Sequence, residues 1–125
     1  MRAIERLSRD LGLPPAESHT QDWAYELPDQ YRTREWLDRY MAAYHACGYP
    51  PDVRQELMTL ALDVSNDLLC SGAKPDDRSI AAVLSALLED RQEHGVLIEY
   101  WSLEGGRWED CFAVTPEVRK IKAAH

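Results

Sequence analysis

The chain is short of the residues from which most recognisable site chemistries are built. Among its 125 residues there are 3 cysteines, Cys47, Cys70 and Cys111, widely spaced and without a CxxC pair. An odd, scattered set argues against a disulfide framework and against a cysteine-built zinc site. It suits a reducing compartment in which each thiol is a small buried apolar group. No stretch approaches the roughly 18 consecutive apolar residues that a membrane helix needs. The opening Met1-Arg2-Ala3-Ile4-Glu5-Arg6 has no apolar core of the signal-peptide kind, so a cytoplasmic chain is expected.

Positive charge is scarce as well. Lys and Arg number 14 against 22 Asp and Glu, a net charge of −8. Phosphate neutralisation supplies most of the affinity of a general nucleic-acid binder, so nucleic acid is not expected as a partner. An acidic surface favours solubility and speeds encounter with a basic partner.

The catalytic inventory is thin. There is no HExxH, no Asp-rich calcium loop, no nucleophile-elbow serine and no Walker lysine behind Gly105-Gly106. His45 and Cys47 stand two apart on a predicted helix and therefore point to different faces. The doublets Asp76-Asp77, Glu89-Asp90 and Glu109-Asp110 diverge in the same way, and only a desolvated pair splits its pKa values as acid–base work requires. No metal and no cofactor is expected. Were a catalytic site assembled from scattered residues, His45, Cys47 and His94 would be its members.

What is present is helical periodicity. Ile4, Leu7 and Leu11 share a face that Gly12 and Pro14-Pro15 bring to an end. Residues 12–32 carry turn chemistry. Within them Trp23, Tyr25 and Leu27 alternate with polar neighbours and suggest a short extended piece. Thr33 is placed to cap a helix bearing Trp36, Tyr40 and Tyr44 at i, i+4 and i+8, with Gly48 as its stop. Asp52, with Gln55 three residues on, reads as a capping box before Val53, Leu57, Leu60, Ala61, Val64 and Leu68. Met58, Leu62 and Leu69 widen that stripe, so this helix is expected to be buried on more than one side. Asp76 and Asp77 open a further helix with Ile80, Val83, Leu84, Leu87 and Leu88 on its apolar face, and Gly95 is expected to end it.

From Val96 the pattern changes. Val96–Leu103 is rich in branched and aromatic residues, Glu104-Gly105-Gly106 is a turn signal, and Arg107–Val114 alternates. These features predict an antiparallel β-hairpin that sets Trp101 near Trp108. Thr115-Pro116 then caps a short terminal helix. The expected fold is α+β and predominantly helical. It is a single domain over 1–125, with about four main helices, a C-terminal β-hairpin and a short terminal helix.

Ile80–Leu88, the two predicted strands and Thr115-Pro116-Glu117 together resemble the end of a winged-helix domain. That resemblance covers about a third of the chain. It implies DNA binding through the helix before the wing, or a role associated with transcription. Here that helix and its flanks carry Asp76, Asp77, Glu89, Asp90 and Glu93 against Arg78 and Arg91, which opposes phosphate. In size and charge the chain is also similar to small bacterial immunity and antitoxin proteins, which mask basic toxins.

The favoured expectation is a non-catalytic acidic module that binds a basic protein. The contact acids expected are Asp63, Asp67, Asp76, Asp77, Glu89, Asp90, Glu93, Glu109 and Asp110. Four tryptophans and six tyrosines against one phenylalanine point the same way, because Trp and Tyr are enriched at interfaces. Tyr25, Tyr31, Tyr49 and Tyr100 are the tyrosines expected to include exposed contacts, and the aromatic faces are compatible with a homodimer.

Overall fold

The computed structural model describes residues 3–14, 27–102 and 113–124. Among these residues the chain is all-helical: α1 (Ala3–Leu11), a 3-10 turn (Asp29–Tyr31), α2 (Arg34–Ala46), α3 (Pro51–Cys70), α4 (Arg78–Glu89), α5 (Gly95–Ser102) and α6 (Thr115–Ala123). It groups into two compact units, Met1–Val64 and Ser65–His125. Among the described residues no helix is long and apolar enough to cross a membrane.

In the first unit, α1 buries Leu7 fully and its i−3 and i+4 companions Ile4 and Leu11 in part. Gly12 ends it in the left-handed conformation at φ +70°, which lets the Leu13 amide close back onto the Ser8 carbonyl at 2.9 Å. The predicted cap of α2 is present, with the Thr33 hydroxyl accepting from the Trp36 amide at 3.3 Å. Leu37, Tyr40, Met41 and Tyr44 form the buried stripe of that helix.

Its aromatic row is held by polar contacts as well as by packing. The Tyr40 hydroxyl donates to the Tyr31 carbonyl at 2.6 Å, and Tyr31 meets Trp36 edge-on with ring centres 5.1 Å apart. Arg54 lies over the Tyr44 ring, 4.2 Å from its centre, and donates to its hydroxyl at 2.9 Å.

The start of α3 differs from the predicted capping box. The Arg54 amide bonds the Pro50 carbonyl at 3.0 Å, so Pro51 takes the first helical position and Asp52 falls inside the first turn. Proline is pre-set for that position and has no amide proton to leave unsatisfied, which outweighs the capping side chain. Val53, Leu57, Met58, Leu60, Ala61, Leu62 and Val64 are buried, as the widened stripe predicts, while Leu68 and Leu69 at its end are half-buried. The same burial takes in Asp63. Its carboxylate accepts from the Arg32 guanidinium at 2.8 Å, with the two side chains only 10% and 6% exposed.

In the second unit, Asp77 caps α4, its carboxylate accepting from the Ser79 amide at 3.1 Å. Ile80, Val83, Ala86 and Leu87 are buried, whereas Leu88 is exposed. The largest correction to the α+β expectation lies next. Val96–Ser102 is helix, not strand, and Gly95 opens this helix rather than ending the one before it.

The reason is visible in which residues are covered. Leu97, Ile98, Trp101 and Ser102 are buried, a spacing of i, i+1, i+4 and i+5, while Val96 and Tyr100 are exposed. A strand would have put Val96, Ile98 and Tyr100 on one side. Branched and aromatic composition favours strand only when a pleated neighbour is there to pack against; here α5 packs on α6.

The carbonyls at the end of α5 are received by side chains of α6. The Thr115 hydroxyl donates to Trp101 O at 2.8 Å and Arg119 Nε donates to Ser102 O at 2.7 Å. Thr115, predicted as a cap, is thus the first residue of α6 after the N-cap Val114, and its hydroxyl serves the neighbouring helix. The predicted second strand lies largely outside the described residues, as do Trp108, Trp23 and Tyr25. The wing on which the winged-helix resemblance depends therefore has a helix where its first strand was expected.

The buried ion pair and one half-buried acid set two expectations for stability. Arg32→Ala strips the guanidinium from an interior carboxylate. It should cost about 3–5 kcal/mol in urea unfolding, whereas Arg32→Met with Asp63→Leu should recover most of that loss. A single-variant loss below about 1 kcal/mol would mean that the pair behaves like a solvated surface bridge.

Burial raises the Glu56 carboxyl above its usual range, and Asp52, four residues earlier on the same helix, adds to the rise. The folded state therefore holds that proton more tightly than the unfolded state. Stability falls as pH rises through the unfolded value up to the raised folded one, and the loss is complete above it. Glu56→Gln should be more stable than the parent at neutral pH, with the gap closing in acid. Denaturation midpoints that keep a constant offset across that range would contradict it.

Candidate functional site

The residues that stand out are those joining α4 to α5. α4 ends at Asp90, whose amide bonds back to Ala86 and Leu88. The Asp90 carbonyl then accepts from two further amides, Glu93 at 2.9 Å and His94 at 3.3 Å, which folds 90–94 into a compact turn. The His94 carbonyl receives the Ile98 amide at 3.0 Å and so begins α5. His94 itself is completely buried and anchors the turn. Its ring and the carboxylates of Asp90 and Glu93 offer donor atoms that all lie within 4.8 Å of one another.

Outward from this turn, the surface is apolar and acidic together. Among the described residues the exposed large hydrophobic side chains are Leu88 (38%), Val96 (72%) and Tyr100 (57%), all between positions 88 and 100. Val96 and Tyr100 are i, i+4 neighbours and share a face of α5. Glu89, Glu93 and Glu99 are exposed over the same stretch. Beside it lies an open groove of about 340 Å³, lined by Arg91, Gln92, Gly95, Ile98, Ile121 and Lys122 among others. At its rim Lys122 Nζ pairs with Glu99 Oε1 at 2.9 Å, and Arg91 donates to the Leu88 carbonyl at 2.8 Å.

The acids expected to make contact are distributed unevenly. Asp63 is interior and committed to Arg32. Asp67 is half-buried on α3, Asp76 is exposed before α4, and Asp77 is engaged as the cap of that helix. Glu89 and Glu93 are exposed and Asp90 is half-buried, while Glu109 and Asp110 lie outside the described residues. Glu99 is absent from the expected contact acids, because a strand over Val96–Leu103 hides the helical face it shares. Helical spacing from Val96 and Tyr100 was the signal that could have found it.

Of the tyrosines expected to include contacts, Tyr100 is exposed, Tyr31 half-buried and Tyr49 buried. Cys47 and Cys70 are exposed, contrary to the expectation of buried thiols; Cys47 is the C-cap of α2 and Cys70 the last residue of α3.

The scattered catalytic set is not brought together within either unit: His45 and Cys47 belong to the first, His94 to the second. His45 is exposed and meets Tyr44 edge-on at 5.3 Å. Near Cys47, the buried Tyr49 hydroxyl donates to Asp10 at 2.9 Å, and Arg6 lies over the tyrosine ring at 4.9 Å. Burial, then the Asp10 bond and the Cys47 thiol, push Tyr49 above its ordinary range. The same hydrogen bond, with Arg9 and Arg6, holds Asp10 below its own. A tyrosine so held stays protonated and serves to tie the end of α1 to the loop before α3.

No family model matches the chain, and no curated protein and no solved structure matches it significantly.

Proposed function

We propose that the chain is a protein-binding module that receives a basic partner on the outward face of α5 and the turn before it, as an immunity-type inhibitor would. The observation that carries this reading is the coincidence of apolar exposure and acid on one short stretch. Val96, Tyr100 and Leu88 are the exposed large hydrophobic side chains among the described residues, and residues 88–100 add four acids, Glu89, Asp90, Glu93 and Glu99, against Arg91, with Glu99 paired to Lys122. An exposed tyrosine beside an aliphatic neighbour is the usual centre of a contact patch, and a rim of one sign of charge steers an oppositely charged partner to it.

The test is capture of partners by the tagged chain from its native lysate at low and high salt, alongside Tyr100→Ala, Val96→Ser and the charge variant Glu89→Gln/Glu99→Gln. A stoichiometric basic protein should be retained and then released by salt. Tyr100→Ala should weaken it by about 30-fold, the scale of an interface hot spot. The charge variant should flatten the salt dependence. A partner indifferent to all three variants, or no partner at all, would sink the proposal.

A further inference from the structure

The turn that shapes the proposed contact surface also gathers one imidazole and two carboxylates, whatever partner that surface receives. We propose that Asp90, Glu93 and His94 form a binding site for a divalent transition-metal ion of the Zn²⁺ class.

Three observations support this. The donor set is mixed, one imidazole and two carboxylates, with all three ligand atoms within 4.8 Å of one another. Ligands about 2.1 Å from a tetrahedral zinc stand about 3.4 Å apart, so the set needs to close by only about an ångström and a half at its widest. The turn is preorganised, because the Glu93 and His94 amides both bond the Asp90 carbonyl, at 2.9 and 3.3 Å, and fix the three backbones relative to one another. The set also runs from the interior to the surface, with His94 fully buried, Asp90 half-buried and Glu93 exposed.

The ligand types select the ion. Imidazole suits zinc and its neighbours and is a poor ligand for calcium or magnesium, which take oxygen. Two carboxylates balance the charge of a divalent ion. Three protein ligands leave a fourth position to water, as in open zinc sites. Paired Cys and His motifs do not describe this set. The chain's own pattern is Asp90-x-x-Glu93-His94, which a turn rather than a helix face brings to a point.

The test is calorimetric titration of the full chain with Zn²⁺ alone. Cys47, Cys70 and Cys111 are changed to serine so that thiols do not compete. The parent is compared with Asp90→Asn, Glu93→Gln and the control Glu89→Gln, with folding of each checked by circular dichroism. One ion per chain is expected, with Kd about 10 µM or tighter. Asp90→Asn and Glu93→Gln should each weaken binding at least about tenfold, and Glu89→Gln should leave it unchanged. Should Asp90→Asn disturb the end of α4, Glu93→Gln decides the matter, since its side chain is exposed. Absence of binding, or binding that Glu93→Gln leaves intact, overturns the site.

Discussion

Burying the middle turn of α3 on every side is the constraint from which much else follows. Every position from Leu60 to Ser65 is buried, more than one full turn, so no side of the helix at that level faces water. A helix in that state cannot carry an unpaired charge, yet Asp63 stands in the middle of the run. The consequence is Arg32, drawn in from the segment before α2 to meet it at 2.8 Å. An interior pair of this kind adds little net stability compared with apolar side chains. It does penalise any arrangement in which the two halves fail to meet. Nearby, the Tyr40 hydroxyl binds the Tyr31 carbonyl, so the short 3-10 turn that precedes Arg32 is tied to the body of α2.

A comparable constraint governs the second unit. The end of α5 would leave open carbonyls beside a buried Trp101 and Ser102. The Thr115 hydroxyl and the Arg119 guanidinium of α6 take them up. The same packing turns Val96 and Tyr100 outward. One arrangement thus both settles the inner face of α5 and creates the exposed apolar and acidic strip on which the proposed function rests. The anchoring of His94 at the start of α5 brings the Asp90 and Glu93 carboxylates close to its ring, so the candidate contact strip and the candidate metal ligands share one short turn.

Much of the helical framework was legible in the residues. The stripe through Val53, Leu57, Leu60, Ala61 and Val64, the Thr33 cap, the opening of α4 at Asp76-Asp77 and the stops at Gly12 and Gly48 all follow from local rules of spacing and capping. The candidate site was legible only in part. Glu89, Asp90 and Glu93 were among the acids expected to matter, but Asp63 was among them too, and nothing in its neighbourhood of sequence says that an arginine 31 positions away will enclose it. Glu99 and the outward face of α5 were hidden by the strand reading of Val96–Leu103.

The residues alone carry the Thr33 cap, the opening of α4 at Asp76-Asp77, the stops at Gly12 and Gly48, the apolar stripes of those helices and the excess of acid. These are matters of neighbouring residues, and neighbouring residues are all a linear pattern reports. The tertiary structure alone decided that Gly95–Ser102 is helix, because a run of Val, Leu, Ile, Tyr and Trp takes its form from what it packs against, and α6 offers a helical face with side chains ready for its last carbonyls. It also decided which acids are interior, which are caps and which face water. The charge of a carboxylate is written in the sequence; the partners that surround it are set only when distant segments meet.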